Sequence, residues 1–254
     1  MKLVILGSGT SVPHERRASA ANWVETESGS VLLDISADAG HRMAEERLDW
    51  ANLDAIWVSH FHLDHLGGLA SFLFGTKWAP QTQARTKPLN IFGPAGLRRI
   101  LEATNQSNNY GLLDQSFPVE LKEVDPGARF DILPDLTSNT FSTPHTAESQ
   151  AIRLTDQRGV SMVYTSDTGY SQELAEFVKG VNVLLMECSF WKHRPVDTHL
   201  ALADAIEVAN KAEPKTLVLT HLYPEWDGVN LAKEAARLWQ GEVVGAEDGL
   251  RLEF

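Results

Sequence analysis

Residues 59–68 constrain this chain more than any other stretch of its sequence. They spell Ser-His-Phe-His-Leu-Asp-His-Leu-Gly-Gly and follow an apolar run at residues 55–58, which predicts a β-strand that ends in a polar loop. Within six positions of that loop stand four side chains able to bind a metal ion: His60, His62, Asp64 and His65. We therefore predict a metal-binding loop at the end of a strand.

The spacing of these side chains favours two ions rather than one. His60 and His62 alternate, so on an extended backbone their rings project to the same side and can bind one ion. Asp64 and His65 point elsewhere unless the chain bends, which suits a second ion beside the first. Imidazole with carboxylate is typical of catalytic sites that keep an open coordination position, whereas closed structural sites are rich in cysteine. The alternative is a polar loop that is rich in histidine by chance.

The pattern His-Xaa-His-Xaa-Asp-His after a strand, followed by Gly-Gly, resembles the signature of the metallo-β-lactamase superfamily. The resemblance implies an α/β fold of four layers, αββα, with two metal ions between the edges of two sheets. A chain of 254 residues that is 43% hydrophobic can bury the core of such a fold. We predict one domain over residues 1–254, because no repeat, linker or low-complexity tract interrupts the sequence.

Three further candidate ligands, His145, Asp167 and His221, each follow an apolar strand-like run, as ligands on rigid elements should. Taken alone, each would more often be a helix cap or a surface residue. Their order matches the later motifs of the superfamily. By that resemblance the first ion is held by His60, His62 and His145, the second ion by Asp64, His65 and His221, and Asp167 bridges the two.

A further segment, residues 186–190, resembles the ribonuclease Z branch of the superfamily, in which a glutamate precedes a small residue and Phe. Here the glutamate is Glu187, and His199 lies twelve residues later, at the predicted start of a helix. The resemblance makes His199 the candidate general acid and Glu187 its orienting partner. Ala201 departs from the Ser or Thr that the branch often carries two positions after its histidine.

The sequence leaves two local interpretations open. Asp34 ends a predicted strand and either supports the metal loop through hydrogen bonds or caps the next helix. Residues 105–116 are rich in Asn, Gln and Ser and form either a lid over the site or an ordinary surface loop. The remaining histidines include His14, His41 and His193, which we expect on solvated surfaces.

The net charge of −12, from 22 basic and 34 acidic residues, disfavours a broad nucleic-acid-binding surface. The single cysteine, Cys188, excludes an internal disulfide, and the first residues lack the long apolar core of a signal peptide. No apolar run is long enough to span a bilayer. We therefore expect a cytoplasmic protein that does not bind membranes, and family analogy suggests a homodimer.

We expect a dinuclear metallohydrolase that cleaves phosphodiesters, in which Asp64 orients or deprotonates the attacking water. Zinc is the expected metal and manganese the alternative, because His and carboxylate suit both. True ribonuclease Z carries a tRNA-gripping arm between the motifs of His145 and Asp167, where this chain has only 21 residues. That difference favours small or cyclic phosphodiester substrates over a tRNA 3′-processing endonuclease. A metal-dependent sensor or binding protein without catalysis is the alternative from another class.

Overall fold

The computed structural model describes residues 1–254 and arranges them in two seven-stranded β-sheets with helices on their outer faces. The strands are Lys2–Gly7 (β1), Ala21–Glu25 (β2), Ser30–Leu33 (β3), Ala55–Trp57 (β4), Leu89–Gly93 (β5), Val119–Glu123 (β6), Arg129–Leu133 (β7), Leu136–Ser142 (β8), Gln150–Asp156 (β9), Ser161–Tyr164 (β10), Val183–Glu187 (β11), Thr216–Thr220 (β12), Glu242–Gly245 (β13) and Arg251–Glu253 (β14). The helices are Ala39–Glu45 (α1), Leu63–Leu66 (α2), Leu69–Trp78 (α3), Leu97–Ser107 (α4), Gln172–Phe177 (α5), Leu202–Ala212 (α6) and Leu231–Ala235 (α7).

The two sheets have the same internal plan. The first sheet has the order β14-β1-β2-β3-β4-β5-β6, and the second has the order β13-β12-β11-β10-β9-β8-β7. Each has antiparallel neighbours on one side and parallel neighbours on the other, with the change at β3 or β10, respectively. Most of the parallel strands are joined through helices, since a parallel pair needs a long crossover. The last strand, β14, returns to the first sheet and pairs with β1, with Lys2 opposite Glu253.

The four layers form because successive side chains of the central strands pack alternately against the other sheet and against the helices. In β1, Leu3 and Ile5 belong to the core between the sheets, whereas Val4 and Leu6 belong to the core under the helices of the first sheet. Successive side chains of a strand point to opposite faces, so a strand covered on both sides is apolar throughout. The second sheet shows the same alternation beneath α5, α6 and α7. The predicted αββα architecture is confirmed.

Residues 105–116 lie against the helix layer. Helix α4 continues to Ser107, and the residues that follow return to α3, where the Gln115 amide donates to the carbonyl of Leu73. Leu112 is buried in the same core cluster as Leu73. This arrangement fits the surface-loop interpretation and not the lid.

None of the helices combines the length and the apolar character that crossing a bilayer requires.

Candidate metal centre

The candidate ligands meet at one edge of the two sheets, because most of them follow the carboxyl ends of strands that run in the same direction. The metal loop follows β4, and the later ligands follow β8, β10 and β12. Three residues that follow β3, β10 and β12 have a left-handed backbone, which is costly for residues other than glycine and tends to occur at functional sites. They are Asp34 (φ 61°), Ser166 (φ 52°) and His221 (φ 57°).

The bend that the metal loop needs is provided by a single helical turn. His62 has extended backbone angles (φ −65°, ψ 146°) and immediately precedes α2. The chain then turns at Gly67 and Gly68, which separate α2 from α3. A Cβ atom on Gly68 would stand 2.0 Å from the carbonyl oxygen of Ser36. Glycine is therefore required for the loop to pack against the end of β3.

Three imidazoles form the first group of ligand atoms. The ring centroids of His60, His62 and His145 lie 4.7–4.9 Å apart in edge-to-face pairs. The Nε2 atom of His145 is 3.1 Å from Nδ1 of His62. Asp167 faces this group with its Oδ2 atom, 3.5 Å from Nε2 of His145 and 3.8 Å from Nε2 of His60.

The second group contains Asp64, His65 and His221. The Oδ2 atom of Asp64 is 3.7 Å from Nε2 of His65 and 3.5 Å from Nε2 of His221. Asp167 faces this group with its other oxygen, Oδ1, at 3.2 Å from His65 and 3.3 Å from His221. The two oxygens of one carboxylate are thus divided between the two groups, as in a carboxylate shared by two cations.

The chemistry of these atoms fits divalent metal ions. Ligand atoms of the first group, with Asp167, all lie within 4.8 Å of one another, and so do those of the second group. Four of them are buried without any hydrogen-bond partner in the protein: Nε2 of His60, His65 and His221, and Oδ1 of Asp167. An unpartnered buried polar atom typically costs about 1–3 kcal/mol, so an unexplained cluster of four would be expensive. Cations at these positions would satisfy all four.

The carboxylates of the cluster keep their charge despite burial. Burial alone would raise the pKa of Asp64, but the neighbouring His221 and His65 lower it to about 2. Burial likewise opposes the ionised form of Asp167, and His221 and His65 hold the pKa of that carboxyl well below its usual range. Burial, followed by the proximity of His65, lowers the pKa of His60 to about 2. Anionic carboxylates and a neutral imidazole are the protonation states in which these groups bind metal.

Asp34 supports the metal loop from behind. Its fully buried carboxylate accepts hydrogen bonds from Nδ1 of His65 (2.7 Å), the backbone N–H and hydroxyl of Ser59 (2.7 and 2.8 Å) and the hydroxyl of Tyr164 (2.8 Å). Helix α1 instead begins after Asp38. Of the two interpretations of Asp34, the structure favours support of the loop. Tyr164, at the end of β10, is not identified from the sequence, because a tyrosine in a short buried strand carries no distinctive local signal.

His199 and Glu187 form a hydrogen-bonded pair at the same edge. Nδ1 of His199 donates to Oε1 of Glu187 at 2.9 Å, and the His199 ring stacks on His221 with centroids 5.5 Å apart and planes 12° apart. Burial lowers the pKa of His199, but the Glu187 carboxylate outweighs burial and raises it above the usual value. The prediction that His199 starts a helix is wrong, because α6 begins only at Leu202 and its N-cap is Ala201.

The other histidines lie outside the cluster. The side chain of His41 is 79% exposed on α1, and His193 is exposed, as expected for surface residues. His14 differs from the expectation, since its side chain is only 8% exposed and its Nε2 lies 2.8 Å from Oδ2 of Asp227. The reason is that the loop after β1 folds onto the loop after His221, where Arg17 also binds Asp227.

Comparisons with known proteins place this geometry in a family. The family model of the beta-lactamase superfamily domain matches residues 30–222. A protein named ribonuclease Z from Halalkalibacterium halodurans is 25% identical over 299 residues, which cover 96% of each chain.

Solved structures share the fold over almost the whole chain. The metallo-β-lactamase fold protein YhfI from Bacillus subtilis superposes with a TM-score of 0.83 at 23% identity and covers 99% of this chain and 98% of its own. The short form of human tRNase Z superposes with a TM-score of 0.80 at 20% identity and covers 100% of this chain and 99% of its own. A diphosphatase from the PhnP family superposes with a TM-score of 0.76 at 22% identity and covers 100% of this chain and 97% of its own. The chain belongs to the metallo-β-lactamase superfamily of metal-dependent hydrolases.

Proposed function

We propose that the protein is a dinuclear metal-dependent phosphodiesterase that acts on small or cyclic phosphate diesters. The observation that carries the proposal is the division of the two Asp167 oxygens between the two ligand groups, at 3.5 and 3.8 Å on one side and 3.2 and 3.3 Å on the other. In this proposal His60, His62 and His145 hold one ion, Asp64, His65 and His221 hold the other, and Asp167 is shared. Zinc suits this ligand set, with manganese as the alternative.

When bound, the two ions would supply positive charge that orients the diester, stabilises the charge of the transition state and acidifies water. The protein supplies the groups that direct protons. Asp64 lies at the edge of the second group, where its carboxylate can accept a hydrogen bond from the attacking water and orient it. His199 has its Nδ1 committed to Glu187, so its Nε2 is the nitrogen left to donate a proton to the leaving oxygen.

The segment between His145 and Asp167 supports the small-substrate class. It contains β9, β10 and a turn at residues 157–160, with Thr155 paired to Ser161 across the hairpin. The chain therefore has no extension here with which to grip a folded RNA. A net charge of −12 also opposes a long polyanion, because electrostatic attraction supplies most non-specific affinity for nucleic acids.

The second candidate function is tRNA 3′ processing. It is favoured by the name of a relative that matches nearly end to end, the ribonuclease Z of Halalkalibacterium halodurans, and by the fold shared with human tRNase Z. The structural neighbour from the PhnP family, in contrast, is named as a diphosphatase and not as a nuclease.

A panel of hydrolysis assays tests the proposal: bis(p-nitrophenyl) phosphate, cyclic nucleotides, a precursor tRNA and a β-lactam, each with the zinc-loaded and the manganese-loaded protein. We expect hydrolysis of the small diesters, loss of that activity in His60→Ala, and wild-type activity in His41→Ala, which removes an exposed histidine. Preferential cleavage of the precursor tRNA would select the second candidate. If none of the substrates is hydrolysed, the remaining candidate is a metal-binding protein without catalytic activity.

A further inference from the structure

We propose that Ser189 is a positioning residue through which Glu187 controls His221 as well as His199. The inference rests on the proposed function, because it assigns His221 to the second ion. Ser189 lies directly after β11 and Cys188 and is fully buried. Its Oγ atom is 2.7 Å from Oε2 of Glu187, 3.0 Å from Nδ1 of His221 and 3.3 Å from Nδ1 of His199.

The direction of each hydrogen bond follows from the number of protons available. An ionised carboxylate only accepts, so the single hydroxyl proton of Ser189 is donated to Glu187. His199 donates its Nδ1 proton to the other oxygen of Glu187, at 2.9 Å, the shorter of its two contacts. The lone pairs of Ser189 Oγ then accept the Nδ1 proton of His221. This hydrogen bond holds the His221 ring with Nδ1 towards Ser189 and Nε2 towards Asp64 and Asp167.

The first sheet contains the same arrangement. There the hydroxyl of Ser59 donates to Oδ2 of Asp34 at 2.8 Å, and Ser59 Oγ is 2.9 Å from Nδ1 of His60. In each sheet, one buried carboxylate therefore holds one imidazole directly and a second imidazole through a buried serine. The pair in the first sheet is His65 and His60, and the pair in the second sheet is His199 and His221.

The two arrangements differ in how the directly held imidazole is used. Asp34 holds His65, a member of the second ligand group, whereas Glu187 holds His199, which the proposed ligand assignment leaves free for proton transfer. The serine-linked imidazole is a proposed ligand in both sheets. Glu187 thus orients a proton donor directly and a metal ligand through Ser189, so removal of the Ser189 hydroxyl should affect metal binding.

The test compares the affinity of the full-length wild-type and Ser189→Ala chains for zinc, by competition with a chromophoric chelator. Loss of a hydrogen bond behind a ligand typically costs about 10- to 100-fold in metal affinity, and we expect that loss for one of the two ions. Ser138→Ala is the matched control, because Ser138 is an equally buried serine whose hydroxyl has no hydrogen-bond partner. We expect that variant to bind both ions like the wild type.

A second readout separates positioning from general destabilisation. Nitrogen-15 NMR of the imidazoles in the metal-free chains reports the protonation and hydrogen bonding of each ring nitrogen, and we expect the Nδ1 resonance of His221 to shift in Ser189→Ala. The tautomer of His145, whose Nδ1 donates to the carbonyl of Thr198, should not change. If the alanine variant does not fold, Ser189→Cys has a similar volume and a weakly hydrogen-bonding sulfur, and the same shifts are expected of it.

Wild-type affinity for both ions together with an unchanged His221 Nδ1 resonance would overturn the inference, and so would an equal loss of affinity in Ser138→Ala. Both readouts are independent of turnover. A wild-type chain that binds two ions but hydrolyses no diester would overturn the proposed function and leave the role of Ser189 standing.

Discussion

At the scale of single residues, the buried histidines of the cluster are controlled by the atoms behind them. Nδ1 of His65 donates to Asp34 and Nδ1 of His145 donates to the Thr198 carbonyl, so in both rings Nε2 is left for the centre of the site. Such hydrogen bonds fix the ring orientation and raise the basicity of a ligand. The residues behind the ligands should therefore matter nearly as much as the ligands.

Asp64→Ala should lower turnover of phosphodiesters by several powers of ten, because one carboxylate both contributes to the second ligand group and orients the attacking water. Steady-state kinetics on bis(p-nitrophenyl) phosphate at saturating zinc measures the loss. Asp38→Ala is the control, since Asp38 is exposed before α1 and makes no side-chain capping bond. Near-normal turnover in a folded, metal-loaded Asp64→Ala chain would contradict the role.

His199→Ala should leave the metal content unchanged and slow the hydrolysis of esters with poor leaving groups. A general acid contributes about 10²- to 10⁴-fold, and a p-nitrophenolate leaving group needs little protonation, so its esters should be affected far less. The measurement is kcat/KM for alkyl and p-nitrophenyl diesters, with His193→Ala, an exposed neighbour, as the control. Loss of an ion, or equal slowing of both esters, would rule out the role of general acid.

Tyr164→Phe should destabilise the fold, because it removes one of the hydrogen bonds to the buried Asp34 carboxylate. A hydrogen bond to a charged group typically contributes about 1.5–3 kcal/mol, and we expect a loss of that size in the free energy of unfolding measured with urea. Tyr170→Phe is the matched control, because its hydroxyl binds Glu207 and Lys211 at the surface. Equal stabilities of the Tyr164→Phe variant and the wild type would show that the Tyr164 hydroxyl does not support Asp34.

At the scale of secondary-structure elements, a strand is predicted from the sequence where its hydrophobic pattern is regular. A strand that depends on pairing with a distant part of the chain is not. The strands before the metal loop, Asp167 and His221, which are β4, β10 and β12, are mainly apolar runs followed by polar residues, so the sequence predicts them. The last two strands, β13 and β14, were missed. Both are short, contain exposed residues and exist because they pair with β12 and β1. Only the folded sheet provides those partners.

The residues of the candidate site also differ in whether the sequence alone predicts them. The sequence predicts the candidate ligands because histidines and aspartates at strand ends are conspicuous and match the order of the family motifs. Tyr164 and Ser189 are ordinary residue types in or beside apolar strands, and no local pattern marks them. Their roles depend on proximity, since Tyr164 meets Asp34 across 130 positions and Ser189 meets His221 across 32.

Gly68→Ala should disrupt the turn between α2 and α3, because the new Cβ would lie 2.0 Å from the Ser36 carbonyl oxygen. Such overpacking costs about 1–3 kcal/mol, and we expect a lower unfolding midpoint together with weaker metal binding. Gly75→Ala in the same helix layer is the control. Its Cβ would meet nothing within 4 Å, and replacing a helical glycine stabilises by about 0.5–1 kcal/mol. Equal effects of the two substitutions would refute the requirement for glycine at the loop.

At the scale of the whole molecule, the site joins the two sheets. The metal loop and Asp34 belong to the first sheet, whereas His145, Asp167 and His221 belong to the second. Ions that take ligands from both sheets should therefore stabilise the assembled fold and not only the loop. Asp167 contributes to both groups of ligands and is the residue on which this connection most depends.

Metal removal should lower the unfolding temperature. A ligand that binds only the folded state stabilises it by about 2.7 kcal/mol at a concentration one hundred times its dissociation constant, and two ions add two such contributions. Thermal unfolding with zinc and with a chelator measures the difference. We expect a smaller difference for His60→Ala than for the wild type and an unchanged one for His41→Ala. An equal unfolding temperature with and without zinc would contradict a site that connects the sheets.

The central claim, a dinuclear centre that hydrolyses phosphodiesters, is tested most directly by a titration of the metal-free protein with zinc. The rate of bis(p-nitrophenyl) phosphate hydrolysis is followed while bound zinc is measured in the same samples. We predict that activity rises to a plateau at two ions per chain and that Asp167→Asn, which weakens the shared ligand, abolishes the plateau. Full activity at one ion per chain, or no hydrolysis with two ions bound, would contradict the claim.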